Sequence, residues 1–257
     1  MTARTAGDAV QAIRDGLDRD QVALLPPIDV FDTLAMARAA GLHAAGVMLD
    51  PWYNKGIGGT VDDDEYADFI LRLLTAAAAV GDHVYLWGFP EIVGPLLARS
   101  IPDELGLVAW LTWYYKNNPS VIRGWRSAQM TCLHLSRPGA GLHVEHFMND
   151  KQKALQANGK LRYIPGPPSV IESSLLVGFI GRDEQTGHPS QKPEAVYEPL
   201  LKMVARAGDL IIDPMCGSGT AGAVARAQGL QALLGDHDAS HVERVEQRLH
   251  LQRLTLA

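Results

Sequence analysis

The chain has 257 residues, 47% of them hydrophobic and 20% charged, with a formal net charge of −6. This is the composition of an ordinary globular protein of single-domain size, and it excludes a disordered, collagen-like or disulfide-stapled chain. Two cysteines, Cys132 and Cys216, fit neither a disulfide framework nor a zinc site, no apolar run is long enough to span a bilayer, and the first twenty residues lack a secretory apolar core, so the expected compartment is a reducing cytoplasm, with neither a metal nor a membrane partner.

Apolar runs bounded by turn residues alternate with helical periodicity along the chain. In order they predict a helix over 9–18, a strand over 21–25, a helix over 32–40, a strand over 46–49 and a helix over 63–80, whose acidic start at Asp62 to Glu65 suits the helix dipole. A strand over 83–87, a helix over 91–99 and strands over 107–113 and 130–135 follow. The last third predicts a helix over 193–206, a strand over 209–212, a helix over 219–228, a strand over 232–235 and a helix over 240–254. The alternation implies one mostly parallel α/β sheet with helices on both faces. Trp110, Trp113, Tyr114 and Tyr115 are expected mostly in the core. Residues 139–187 differ. They are rich in Gly, Pro, His and Lys and read as an insertion over the sheet edge, with His143 and His146 in an exposed loop.

The negative net charge hides an uneven distribution. From Lys116 to Arg162 there are eight basic residues and two acids, +6, against −12 for the rest of the chain. Within this basic island, Lys116, Arg123, Arg126, Lys151 and Lys153 are candidate nucleic-acid contacts.

Open α/β sheets bind ligands at the carboxyl ends of their strands, and two chemically loaded segments follow predicted strands. After 209–212 comes Asp213-Pro214-Met215-Cys216-Gly217-Ser218-Gly219-Thr220, leading into a helix, and the next strand delivers Asp236. Glycines at such a turn let the backbone approach a ligand, the helix start offers free N–H groups, and an acid ending the second strand can accept from both hydroxyls of a ribose. The spacing is neither GxxxxGK[ST] nor GxGxxG. The second segment, Asp50-Pro51-Trp52-Tyr53-Asn54, follows 46–49. Taken alone it also reads as a plain β-turn.

Residues 213–220 resemble the cofactor motif of the amino-methylating DNA methyltransferases. Gly187-His188-Pro189-Ser190-Gln191-Lys192-Pro193 resembles the same family's HPTQKP signature, with Ser190 in place of Thr. Asp50 to Tyr53 is similar to its catalytic motif, and Trp52 stands where the family usually has a second proline. Trp110 to Pro119 followed by Arg123, and Asp29 to Leu34, resemble further family segments, so the likeness covers most of the chain. With the catalytic motif first, an insert next and the cofactor motif last, the order is that of the circularly permuted beta group.

The resemblance implies a Rossmann-like methyltransferase fold with a seven-stranded sheet, adjacent termini, and one domain over 1–257 with a short target-recognition insert at 139–187. It implies S-adenosylmethionine as cofactor, bound by Asp29, Ser190, Lys192, Asp213, Pro214, Cys216, Gly217, Ser218, Gly219, Thr220 and Asp236. Ser190 is expected to cap the helix that Pro193 opens. The partner implied is duplex DNA with a flipped base, leaving a homodimer or a partner subunit open. Catalysis falls to Asp50, Pro51 and Tyr53. An exocyclic amine is a poor nucleophile until its N–H groups are held by acceptors, here the Asp50 carboxylate and the Pro51 carbonyl. Tyr53 would stack on the flipped base. Asp at position 50 favours N6 of adenine as the target. N4-cytosine methylation, RNA adenine methylation and a non-catalytic nucleic-acid-binding subunit are the alternatives.

Overall fold

In the computed structural model, residues 3–55, 59–99, 101–118, 124–163 and 165–256 are described, with side chains from residue 7 onward. Arg123 and Pro119 lie outside the described residues. The chain forms α1 (Ala3–Asp20), β1 (Val22–Leu24), α2 (Val30–Ala39), β2 (Ala44–Leu49), α3 (Asp63–Ala78), β3 (Gly81–Gly88) and α4 (Pro90–Arg99). It continues through β4 (Gly106–Tyr114), β5 (Gln129–Ser136), a 3-10 turn (Val144–Phe147), α5 (Asp150–Ala157) and β6 (Val170–Glu172). It closes with α6 (Glu194–Val204), β7 (Leu210–Asp213), α7 (Thr220–Ala227), β8 (Gln231–Leu234) and α8 (Ala239–Leu249).

The strands make one sheet in the order β1-β8-β7-β2-β3-β5-β4-β6. Among the described strands, only β5 runs against its neighbours, β3 and β4. The central strands are buried on both faces, which explains their unbroken apolar runs. Their side chains divide with a period of two. Val47, Leu49, Val84, Leu86, Leu210 and Ile212 join Ile13, Leu34, Ile70 and Leu73 on one face. Met48, Tyr85, Trp87 and Ile211 join Val196, Leu200, Val224 and Val242 on the other. From β7 the chain winds through α7 to β8, and from β2 it winds the opposite way through α3 to β3, so the topological switch lies between β7 and β2. After α8, the Leu254 amide donates to the Leu24 carbonyl at 2.7 Å, which lays the C-terminal segment beside β1. Among the described residues no helix is long and apolar enough to cross a membrane.

The structure corrects three expectations. Among the described residues the sheet has eight strands, not seven, because Val170–Glu172 pairs in parallel with β4 inside the 139–187 segment. This strand is mostly exposed, so it offers no apolar run of the kind that marks the equally short but fully buried β1. The same segment also forms α5, whose start is a capping box between Asn149 and Gln152. Finally, His143 and His146 are half-buried, not exposed. The His143 amide donates to the Met203 carbonyl at 2.7 Å, and His146 Nδ1 lies 2.7 Å from the Lys202 carbonyl, which anchors the turn beneath the end of α6.

Candidate active site

The glycine turn and the 50–53 segment come together because β7 and β2 are adjacent, parallel and in register at Val47 and Ile212. Both end at the same edge, so the chain delivers Asp213 and Asp50 side by side across the switch point. Asp213 is 3% exposed. Its carboxylate accepts from the Met215 amide at 3.2 Å. Burial, with Asp50 and Asp236 nearby, pushes its pKa up to about 8.

Lys192 joins the two motifs. Its ammonium, 2% exposed, donates to Asp50 Oδ2 and to the Tyr53 hydroxyl at 2.9 Å. It also lies 5.0 Å over the Trp87 ring. The Tyr53 hydroxyl in turn donates to Asp50 Oδ1 at 2.7 Å. Burial and the neighbouring Asp50 push the Tyr53 phenol well above its ordinary value, so it acts as a proton-bearing donor. The Tyr53 ring meets Phe89 edge-on at 5.1 Å. Both Asp50 oxygens are therefore engaged, while a fifth of the side chain remains open to solvent.

The turn itself is held by hydrogen bonds from several elements. Asp236 Oδ2 accepts from the Gly217 amide and Oδ1 from the Asp238 amide, each at 2.9 Å. The Thr220 hydroxyl donates to the Lys192 carbonyl at 2.9 Å. Ser218 Oγ lies 3.1 Å from Thr220 Oγ1. Gly217 and Gly219 have φ of 48° and 76°. A Cβ at Gly217 would meet the His188 ring at 3.1 Å, and one at Gly219 would meet Val245 at 3.1 Å, so both conformation and space require glycine. α7 has Gly219 as its N-cap and no side-chain cap, so no side chain occupies the first amides of the helix there. A buried carboxylate after β8, a tight glycine turn and an uncapped helix start suit a ribose-bearing cofactor. Cys216 is a buried packing residue whose thiol is pushed up by burial. Asp29 stands at the edge of this region. It caps α2 through the Phe31 amide at 2.8 Å, and the adjoining Ile28 amide donates to the Asp236 carbonyl.

Ser190 does not cap α6. The N-cap is Pro193, and the Glu194 amide is taken by the Glu184 carboxylate at 2.7 Å. Ser190 lies three residues too early and is exposed. Sequence reasoning also passed over Arg248. Its guanidinium donates to the Ser218 carbonyl at 3.0 Å, to Thr220 Oγ1 at 3.1 Å and to Glu194 at 2.7 Å, tying the turn to α6. An arginine on the polar face of a helix carries no motif signal. Trp52 packs on the other side of the sheet from Tyr53, onto α3, with its ring 4.7 Å from Phe69 and 5.3 Å from Tyr66.

The basic island divides in space. Lys116 and Arg126 flank the β4–β5 connection at the same edge as Asp50. Lys116 pairs with Glu172 at 2.5 Å, and Arg126 comes within 3.5 Å of the Lys116 carbonyl. Trp125, beside Arg126, is 92% exposed. Asn117 exchanges hydrogen bonds with Leu175 at 2.8 and 2.9 Å, joining this edge to the inserted segment. Lys151 and Lys153 ride on α5, which the chain reaches from the opposite edge of the sheet, through the turn under α6.

A permuted Rossmann-like sheet with a carboxylate–tyrosine pair facing a glycine turn defines an α/β methyltransferase. The family model for DNA methylases of the N6/N4 type matches residues 46–247, and the chain belongs to that family. It is 26% identical over 219 residues to the type II methyltransferase M.HpaI of Haemophilus parainfluenzae, covering 79% of this chain and 67% of that protein. It is 36% identical over 75 residues to the DNA adenine methyltransferase YhdJ of Escherichia coli (strain K12), covering 29% of this chain and 24% of that protein. The solved M1.HpyAVI–SAM complex superposes with a TM-score of 0.65 at 14% identity, over 90% of this chain and all of the other. The protein is a DNA methyltransferase of this family.

Proposed function

We propose that the protein methylates N6 of adenine in duplex DNA, on a base flipped into the pocket at the carboxyl ends of β2 and β7. The observation that carries this reading is the partly open Asp50 carboxylate, held between Lys192 and Tyr53 at the end of β2. S-adenosylmethionine supplies the electrophilic methyl group. Asp213, the glycine turn from Pro214 to Thr220, Asp236, Asp29, Ser190 and Lys192 surround its place.

The target amine needs two acceptors, and Asp50 and the Pro51 carbonyl provide them. Because the Tyr53 hydroxyl occupies Asp50 Oδ1 in the free protein, an incoming N–H displaces it. The released ring is then able to stack on the base, which couples base capture to exposure of the acceptor. Lys192 stays on Oδ2 and keeps the carboxylate oriented. The proton lost by the methylated amine leaves through Asp50 to solvent.

The position of Trp52 supports an active enzyme over a non-catalytic subunit, because its ring packs on Phe69 and Tyr66, across the sheet from Tyr53 and not over it. Lys116 and Arg126 at the mouth, with Lys151 and Lys153 on α5, supply cations for the phosphate backbone, and residues 139–187 act as the target-recognition insert. The test is incubation with labelled cofactor and separate DNA and RNA pools, followed by mass spectrometry of the bases. N6-methyladenine in DNA, absent with Asp50→Ala while cofactor affinity stays within a few-fold, is expected. N4-methylcytosine, label confined to RNA, or turnover retained by Asp50→Ala would each overturn it.

A further inference from the structure

The segment carrying Asp50 and Pro51 lacks the restraint a proline would give at position 52. Proline there would fix its own φ and hold Pro51 extended. In this chain the restraint comes from α3. The Tyr66 hydroxyl donates to the Trp52 carbonyl at 2.7 Å. The Trp52 ring stands edge-on to Tyr66 at 77° and lies tilted on Phe69, which continues edge-on into Phe31 at 5.8 Å. Trp52 is thus gripped at both its side chain and its carbonyl, while the next residue, Tyr53, faces the opposite side of the sheet with Phe89.

The loop is closed again two residues later. Asn54, buried and at φ 48°, donates to the Val61 carbonyl at 3.0 Å and accepts from the Val61 amide at 2.6 Å. Val61 immediately precedes Asp62, the N-cap of α3, so the loop and the start of the helix form one unit. Tyr66 is 4% exposed, and burial together with Asp50 pushes its phenol well above the ordinary value, so it remains a donor at working pH.

We propose that Tyr66 is a positioning residue for methyl transfer: through the Trp52 carbonyl it fixes the backbone that presents Asp50 and the Pro51 carbonyl to the target amine. The inference rests on the assignment of those two acceptors made above. Tyr66→Phe keeps the ring and its packing but releases the carbonyl. Amide hydrogen exchange at residues 52–55 should rise about tenfold, the equilibrium effect of one neutral hydrogen bond. Single-turnover methylation should fall about tenfold while cofactor and DNA affinities hold. Adding Trp52→Pro to Tyr66→Phe should recover most of the lost rate, because proline supplies the restraint covalently. Unchanged exchange in Tyr66→Phe overturns the clamp. Raised exchange with an undiminished rate, or no recovery in a folded double variant, overturns the positioning role. Exchange is read without turnover, so an inert parent protein would count against the acceptor assignment and leave the clamp to be judged by its exchange.

Discussion

Lys192 and Asp50 stand 142 residues apart in the chain and share a hydrogen bond in the fold, the Lys192 ammonium donating to Asp50 Oδ2. Lys192 is almost fully buried and pairs with the Asp50 carboxylate, with Asp213 nearby at the neighbouring strand end. Lys192→Met should therefore leave uncompensated negative charge and cost about 3 kcal/mol or more of stability. Asp50→Asn in the same background should restore much of it. Urea unfolding of the parent, both single variants and the double variant measures the coupling, and additive losses would show that the pair does not interact.

Asp213 makes stability depend on pH in an unusual direction. In the unfolded chain its carboxyl releases a proton near the ordinary value of 3.8, whereas in the fold it holds the proton up to about 8. Between those values folding must take up a proton, so stability falls as pH rises from about 4 to about 8 and levels off above. The slope is at most about 1.4 kcal/mol per pH unit. Asp213→Asn removes this dependence. The stability of Asp213→Asn relative to the parent should grow from pH 5 to 8 and then stay constant in denaturant titrations.

Asp236 and Gly217 should govern cofactor affinity by separate routes. Asp236→Ala removes a carboxylate and releases the Gly217 amide it holds at 2.9 Å, weakening S-adenosylmethionine binding by about 1–3 kcal/mol. Gly217→Val places a branched side chain at φ 48° against His188, so binding should fall further. Isothermal titration calorimetry checks both variants, and undiminished binding in either would remove that residue from the cofactor site.

The divided basic island predicts unequal contributions to DNA binding. Lys116→Glu with Arg126→Glu, at the pocket edge, should weaken binding and lower the salt slope by about one unit for each phosphate no longer neutralised. Lys151→Glu with Lys153→Glu, on the helix reached from the far edge, should lower it less. Cofactor binding should be unchanged in both. Affinity measured across a salt series distinguishes the pairs, and equal slopes would mean that the duplex spans both edges.

What the sequence determined by itself was local. Unbroken apolar runs specified buried strands. The glycine spacing of 213–220 specified a turn that only glycine conformations allow, and its place between strand and helix put Asp213 and Asp236 at one edge. Asp62 could be read as the acid opening α3, and it is the N-cap, accepting from the Asp64 amide at 2.9 Å. These features depend on neighbours within a few residues, so they are written in the order of the chain. The tertiary structure alone decided the rest. Lys192 was legible as part of a cofactor signature, but its hydrogen bond to Asp50 requires β7 and β2 to lie side by side. Arg248, Glu184 and Tyr66 had no motif to mark them, because each acts through a partner brought near only by packing. The orientation of Trp52 followed the same logic: its indole packs on Tyr66 and Phe69, a surface that exists only once α3 lies beside the loop.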